Sequence, residues 1–343
     1  MRLTVVFNPR YRLAPERAVV PAQRSAGMSG SGMPRLMLLD TASLYFRAFY
    51  GIPDSIRRSD GTPVNAVRGL MDMIARLTTD YEATHVVACW DNDWRPQWRV
   101  DLIPSYKSHR VAEIVQDGPD IEVVPDPLEA QIPLIRHVLA LAGIAVVGVD
   151  EYEADDVVGT YATQAQVPTD VVTGDRDLFQ LVDDDRAVRV IYTARGMRNL
   201  ELVTDVVVVG KYKVLPRQYA DFATLRGDAS DGLPGVAGIG EKTAASLLAT
   251  HGSLEGLLET AEDPDGGLSA STRAKLTAAA DYLKVAPAVV KVVRDLTVPT
   301  LEEAGAQLRP VTGAARDELE QLATDWNLGG SVKRLLEALD RFN

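Results

Sequence analysis

RLMLLDTASLYFRAFY, residues 35–50, runs from an unbroken apolar stretch into an aspartate and then into a segment with helical spacing. The same habit recurs three more times. HVVACWD stops at Asp91, IAVVGVD at Asp150 and DVVTGD at Asp175. Runs of four to six apolar residues bounded in this way read as strands buried on both faces. Helical stretches lie between them, VNAVRGLMDMIARL at 64–77 and LEAQIPLIRHVLALAG at 128–143. Strands alternating with helices predict an α/β fold with a mostly parallel central sheet covered on both faces, because parallel neighbours need a crossover. Sites in such sheets form beyond the carboxyl ends of the strands. The strand-end carboxylates Asp40, Asp91 and Asp175 are therefore candidates to share one cleft.

Bulk charge points the other way. The 343 residues carry 36 Lys plus Arg, 48 Asp plus Glu and a formal net charge of -12, which argues against a polyanionic partner. The acid is concentrated, however: residues 151–185 hold ten acidic residues and one basic one. No apolar run approaches the ~18 residues that span a bilayer, and LTVVF near the N-terminus is too short for a signal segment. A soluble, intracellular protein is expected. Its single cysteine, Cys89, lies inside VVACW and reads as a buried small hydrophobe, so no intrachain disulfide or thiolate metal site forms. Residues 1–33, with five Arg, one Glu and the tail GMSGSGM, read as a flexible extension or as the product of an early start assignment, with Met28 or Met33 as later starts.

Beyond the third apolar run, EYEADDVVGTYA places Glu153, Asp155 and Asp156 at a helix start. At ~100° per residue they cover an arc of about 160°. The helix dipole favours each carboxylate by ~0.3 to 1 kcal/mol, but two of them ~4 Å apart repel by about 4 kcal/mol at an effective dielectric of 20. A cation must hold such a cluster together, or it protonates. TGDRDLFQL adds Asp177, on the same side as Asp175 if the strand continues, and LRGDASDGLPG adds Asp228 and Asp231. Nine carboxylates with no His or Cys form an all-oxygen environment suited to Mg²⁺ or Mn²⁺. Two such ions could activate water and stabilise the leaving oxygen in phosphodiester hydrolysis. Taken singly, each Asp reads equally well as a cap, a turn residue or a solvated charge.

The C-terminal part differs in character. KYKVLPRQYADFATLRG, 211–227, reads as a basic helix, and residues 186–217 hold seven Lys or Arg against two acids, a candidate track for a duplex. In GVAGIGEKTA, Gly235, Gly238 and Gly240 permit a turn with outward N–H groups before a helix, an anion site that grips a duplex phosphate without reading sequence, with Lys242 adding charge.

From about residue 35 to about 300 the chain resembles the bacterial 5′ nucleases of the flap endonuclease family, which includes the 5′-to-3′ exonuclease domain of DNA polymerase I. The resemblance rests on LLDTASLYFRAFY, WDNDWRPQWR, YKSHR, EADD, TGDRDLFQLV and GDASDGLPGVAGIGEKTA, in that order. It implies a PIN-like nuclease core over 34–205 with a helical arch near 104–130, a helix-three-turn-helix DNA-binding region over 206–300, and C-terminal helices over 301–343 packing back on the core. Asp40, Asp91, Glu153 and Asp155 would hold one Mg²⁺ or Mn²⁺ ion and Asp175, Asp177 and Asp231 a second, with a third ion conceivable. Asp156 and Asp228 would help through water or hydrogen bonds. Lys107 and Arg110 would sit over the scissile phosphate, Tyr106 would pack on a base or sugar, and Arg47 would meet a phosphate of the cleaved strand. The glycine hairpin would bind K⁺ through backbone oxygens.

The implied activity is a structure-specific DNA 5′ nuclease, both 5′-to-3′ exonuclease and flap endonuclease, in replication and repair. Its substrate would be branched or nicked duplex with a 5′ end or flap. A cytoplasmic, nucleoid-associated monomer linked to DNA polymerase and ligase, with no membrane, is expected; the end at Asn343 leaves no room for a polymerase, so the reading is of a free-standing nuclease. A DNA-binding relative with weak or lost catalysis predicts gaps among the ligands, and none is present. A PIN-type ribonuclease is the other alternative; such chains usually lack YKSHR and the glycine hairpin. Thr41 stands where the family often has Gly and Gly232 where Asn is common, which questions local turn geometry but removes no ligand.

Overall fold

The computed structural model describes residues 33–115, 118–263 and 265–342. Among them the strands are β1 Leu36–Asp40, β2 His85–Cys89, β3 Val111–Glu113, β4 Ile121–Glu122, β5 Ala145–Val147, β6 Thr169–Thr173, β7 Val188–Tyr192 and β8 Glu201–Val203. Six form one sheet in the order β5-β2-β1-β6-β7-β8, parallel throughout except for the antiparallel β8 edge. The expectation for residues 1–33 falls outside the described residues except for Met33.

Alternation along each strand divides the interior into two layers. Leu36 and Leu38 of β1 join Val87, Cys89, Val171 and Val190 on one face, where the helix Ala154–Gln164 and the later helical region pack. Met37 and Leu39 join Val86, Ala88, Val172 and Ile191 on the other, beneath the helices Thr41–Gly51, Asn65–Asp80 and Ile132–Leu141. Leu335 and Leu339 of the helix Gly330–Asp340 lie in this second layer with Leu70 and Ile74. Two-sided burial is why these strands read as unbroken apolar runs. Leu38 is wholly buried, and Leu38→Ala would cost about 2–5 kcal/mol. Cys89 is buried and free. No described helix is long and apolar enough to cross a membrane.

Three local expectations need correction. The 104–130 segment holds no long helix among its described residues: a 3-10 turn Ser108–Arg110 leads into the β3–β4 hairpin, and the only α-helix is the single turn Asp126–Glu129. Its β-branched Val111, Ile114, Val115, Ile121, Val123 and Val124, with a Gly118–Pro119 bend and Pro125 and Pro127, favour extended chain over helix. The segment 211–227 is not one basic helix. The helix Asp205–Tyr212 ends where Lys213 turns left-handed, Pro216 opens a 3-10 turn, and Tyr219–Arg226 is a separate helix with Tyr219, Phe222 and Leu225 buried. Third, β6 stops at Thr173, so Asp177 starts a 3-10 turn instead of continuing the strand.

Candidate active site

Four neighbouring strands deliver the acidic groups to one edge of the sheet. Asp40, the last residue of β1, caps the helix Thr41–Gly51: its Oδ1 accepts from the Ser43 N–H at 3.1 Å and its Oδ2 from Thr173 Oγ1, at the end of β6, at 2.6 Å. Asp91, two residues past β2, accepts from the Ala154 N–H at 2.8 Å and so ties β2 to the next helix start. Glu153 is the N-cap of that helix and Asp155 lies in its first turn. Asp175, two residues past β6, accepts from the Asp177 N–H at 2.8 Å. A cleft of about 1310 Å³ is walled by Asp40, Asp91, Glu153, Asp155, Asp175 and Asp228 together. Asp150, by contrast, is exposed and accepts from Asn92 Nδ2 at 2.9 Å.

These carboxylates are costly neighbours. Burial, with Asp175 adding repulsion, pushes Asp40 up to about 6. Burial, then Asp40 and Glu153, pushes Asp91 up to about 7. Asp231 rises to about 6, again chiefly through burial. Asp155 and Asp177 are held well above the ordinary carboxylate range by burial and by acidic neighbours, Asp40 and Asp175 for the first, Asp175, Asp231 and Asp228 for the second. Asp177 Oδ1 is buried without a hydrogen-bond partner. An orphaned carboxylate oxygen among repelling acids is a donor set that fits a hard divalent cation. Among the described residues no three such side chains already close into a cage, as mutual repulsion leads one to expect.

Asp156 takes no part in the cleft. Both of its oxygens receive the Arg99 guanidinium, at 2.8 and 2.7 Å, and Oδ1 also accepts the Val293 N–H at 2.8 Å. It is a buried strut, not a ligand candidate. Asp228 lines the cleft but is occupied by the Ser230 N–H at 2.9 Å and Arg226 Nη2 at 3.2 Å.

The basic segment 95–110 turns inward. Arg95 pairs with Asp120, Arg99 with Asp156, Lys107 with Glu153 and Arg110 with Glu122. Lys107 is nearly buried, donating to Glu153 Oε2 at 2.9 Å and to the Trp94 carbonyl at 3.3 Å. Although burial opposes it, the Glu153 charge keeps the Lys107 ammonium well above its usual range. Burial likewise works against Glu153, yet Lys107 and Arg99 hold its carboxyl below the ordinary value. Tyr106 corrects its expectation: it is 4% exposed, and its hydroxyl donates to Glu153 Oε1 at 2.8 Å, so it presents no face to a base.

The glycine turn is built on a backbone crossing. Gly235 has φ +66, and a Cβ there would lie 2.5 Å from the Gly227 N. Gly240 caps the helix Glu241–His251, and Lys242 is exposed in its first turn. The Gly238 carbonyl already accepts from Lys275 Nζ at 3.0 Å. Gly232 also answers the question over its turn: with φ +70 its missing Cβ would lie 2.0 Å from the Ser105 carbonyl, so the close approach of these segments requires glycine. Thr41 is buried, its hydroxyl 3.3 Å from the Leu39 carbonyl.

Residues 35–213 match the 5'-3' exonuclease N-terminal resolvase-like domain, and residues 214–312 the 5'-3' exonuclease C-terminal SAM fold. The chain belongs to the 5'-3' exonuclease family. It is 57% identical over 305 residues to a 5'-3' exonuclease of Streptomyces coelicolor, covering 88% of this chain and 99% of that protein. A 5'-3' exonuclease of Mycobacterium tuberculosis is 46% identical over 312 residues, 89% of this chain and 98% of its own length. Among solved structures, the T5 D15 protein co-crystallized with metal ions superposes with a TM-score of 0.58 at 16% identity, over 89% of this chain and all of that one; what is shared there is the fold.

Within this exonuclease, sequence reasoning missed Arg99, Ser43 and Thr173. Arg99 carried no local signal, because its partner Asp156 lies 57 residues away. Ser43 carried a signal, since an N–H three residues after an aspartate is the usual partner of a helix cap. Thr173 carried none.

Proposed function

We propose that this 5′ nuclease hydrolyses phosphodiesters in DNA bearing a 5′ end or flap, with two Mg²⁺ or Mn²⁺ ions held by Asp40, Asp91, Glu153, Asp155, Asp175, Asp177 and Asp231. The observation that carries the reading is the gathering of Asp40, Asp91, Glu153, Asp155 and Asp175 around one cleft at the carboxyl edge of the sheet, only Glu153 among them paired with cations, with Asp177 Oδ1 left unpartnered nearby in the chain. When bound, such ions supply an activated water and neutralise the charge of the leaving oxygen. The chain does the rest. Asp40 and Asp91 are held in orientation by Thr173 and by the Ala154 N–H. Lys107 and Arg110 line the cleft as cations for the phosphate oxygens, and each must release a glutamate, Glu153 or Glu122, to serve. Gly240 and Lys242, at a helix N-terminus, are candidates for the duplex phosphates. A K⁺ ion at this turn would have to share or displace the Lys275 contact to Gly238.

The reading takes the protein as a monomer acting in the cytoplasm beside the nucleoid, where the nicks and gaps it leaves are substrates for a polymerase and a ligase. One gel tests it: 5′-labelled flap DNA, blunt duplex and single-stranded RNA, each with Mn²⁺, Mg²⁺ or EDTA. Cutting of flap DNA that EDTA abolishes is expected. Cutting of RNA alone, or cutting indifferent to EDTA, overturns it.

A further inference from the structure

Gln180 lies in the 3-10 turn that Asp177 opens, and it is 4% exposed. Its Nε2 donates to the Asp177 carbonyl at 3.0 Å and to the Val290 carbonyl at 3.1 Å, while its Oε1 accepts the Val292 N–H at 3.1 Å. Both amide hydrogens and the amide oxygen are therefore in use. The backbone carbonyl of Gln180 also accepts from Arg294 Nη2 at 2.8 Å. One uncharged side chain thus joins the turn of Asp175 and Asp177 to a helix end 110 residues further along.

Residues 289–293, the end of the helix Ala280–Val290 and the irregular chain after it, form a crosspiece between the two groups of ligand candidates. On one side they hold Gln180. On the other, the Val293 N–H reaches Asp156 Oδ1 at 2.8 Å, in the helix whose start carries Glu153 and Asp155. A Cβ at Gly159 of that helix would lie 2.6 Å from the Val293 carbonyl, so the crossing is close. The crosspiece belongs to the C-terminal domain, where Tyr282 donates to the Thr224 carbonyl at 3.0 Å and so joins its helix to Tyr219–Arg226, which leads into Asp228 and Asp231. The helix Ala154–Gln164 has further anchors, Asp91 on the Ala154 N–H and the Tyr161 hydroxyl on the Pro299 carbonyl at 2.8 Å. The Asp177 turn is tied to the crosspiece through the Gln180 side chain. Asp175, Asp231 and Asp228 all repel Asp177, and an amide opposes that repulsion without adding a charge to the field.

We propose that Gln180 is a positioning residue: through Val290 and Val292 it registers the 175–177 turn against the C-terminal domain, so that the domain that grips the duplex also fixes where Asp175 and Asp177 stand. The proposal rests on the two-ion reading above and extends it to how the cut is placed relative to the duplex. The bonds to Val290 and Val292 are buried, and removing the carboxamide takes those partners from a carbonyl and an N–H that water does not reach. Small displacements of ligand groups cost rate steeply, so loss of this tether acts on the chemistry more than on DNA binding.

The test uses the full-length variant Gln180→Met, which keeps the side-chain volume and loses all three hydrogen bonds. Tyr161→Phe serves as a second variant, because it unties the following chain at Pro299 and leaves the turn attached. Each is studied below its own melting midpoint. In calorimetry without DNA, Mn²⁺ binding to Gln180→Met should weaken about tenfold. On flap DNA its kcat should fall about 10- to 100-fold while KM, and binding in EDTA, stay within about twofold. Its cuts, mapped at single-nucleotide resolution, should spread to phosphates beside the one the unaltered protein cuts. Tyr161→Phe should lower the melting midpoint and keep native Mn²⁺ affinity, kcat and cut position. Native Mn²⁺ affinity and kcat in Gln180→Met, whatever its stability, refute the positioning role, and so does an equal change in both variants. A slow Gln180→Met that cuts only at the native phosphate overturns the registration against the duplex. A loss of flap binding in EDTA as large as the loss of kcat/KM puts the effect in the duplex grip and overturns the proposal as well. Asp175→Asn and Asp177→Asn are run beside it: if both keep native turnover, the two-ion reading falls, and if both are inactive while Gln180→Met is native, the role of Gln180 alone falls.

Discussion

Arg99 and Asp156 meet through two parallel hydrogen bonds of 2.8 and 2.7 Å, with side chains 2% and 0% exposed, and the same guanidinium lies 3.5 Å from Glu153. Arg99 Nε also donates to the Val289 carbonyl at 3.2 Å, so the pair joins the segment before Lys107, the helix that begins at Ala154 and the helix Ala280–Val290. Removing one member of a buried, bidentate pair leaves the other charge uncompensated. Asp156→Ala should therefore lower stability by about 3–5 kcal/mol in urea unfolding. Below the midpoint, the apparent metal affinity of its residual cleavage should be unchanged. A metal ligand would show the reverse pattern, native stability with weakened metal dependence.

Asp177 sits at the opposite extreme, a half-buried carboxylate repelled by Asp175, Asp231 and Asp228, with its Oδ1 buried and unpartnered. Asp177→Asn removes the repelled charge while keeping the shape. Metal-free protein should be stabilised by about 1 kcal/mol in thermal melts, while cleavage falls by at least about 100-fold. Loss of stability together with activity would mark Asp177 as a structural residue instead.

The raised carboxyls give the metal-free protein a pH signature. Asp40 at about 6, Asp91 at about 7 and Asp231 at about 6 bind protons more tightly folded than unfolded, against an ordinary value of 3.8. Their contribution to stability is complete below pH ~4 and is lost as pH climbs through 6 to 7. Glu153, held low, has the opposite sign and loses its contribution only at the acid end. In EDTA, Tm should peak near pH 5 and fall by a few degrees by pH 8. Mn²⁺ at pH 8 should restore it, because ions favour the ionised carboxylates that protons otherwise neutralise. A Tm in EDTA that is flat or rising from pH 5 to 8 would refute this account.

Much of the architecture was legible in the sequence because its signals are local. Leu36–Asp40, His85–Cys89 and Thr169–Thr173 are buried on both faces, so unbroken apolar runs marked them. Glu153 as a helix cap followed from EADD. What stayed hidden is pairing at a distance. Arg95 finds Asp120, and Arg99 finds Asp156, 57 residues away, pairings that no local window of sequence registers. Asp150 follows an apolar run as Asp40 and Asp175 do, but its strand ends at Val147 and the intervening turn carries it into solvent. Tyr106, expected to pack on a base or sugar, is withdrawn instead, because tertiary packing supplies Glu153 as the partner of its hydroxyl.

A ligand substitution separates chemistry from binding. Asp175 lines the cleft beside the Gly174 turn, and its side chain accepts the Asp177 N–H, which an asparagine oxygen can also accept. Asp175→Asn should reduce cleavage by at least about 100-fold while flap binding in EDTA stays within about twofold. Near-normal turnover in this variant would remove Asp175 from the set of ligand candidates.

The position that most directly connects fold to catalysis is Gly232. Its carbonyl accepts from Ser105 Oγ at 2.7 Å, and the preceding Asp231 carbonyl accepts the Lys107 N–H at 3.0 Å. Lys107 itself is left-handed, with φ 47, a conformation that costs a non-glycine residue about 1 kcal/mol and persists only when its neighbours fix it. A side chain at Gly232 must push Ser105 away, since its Cβ would fall 2.0 Å from that carbonyl. Asparagine tolerates the φ of +70 but not the close approach, so Gly232→Asn and Gly232→Ala should be similarly harmful, each costing about 2 kcal/mol. With the Asp231 hydrogen bond loosened, Lys107 loses its register against Glu153, and kcat should fall more than KM rises. If Gly232→Asn is neutral while Gly232→Ala is not, left-handed strain is the constraint and the approach to Ser105 is not.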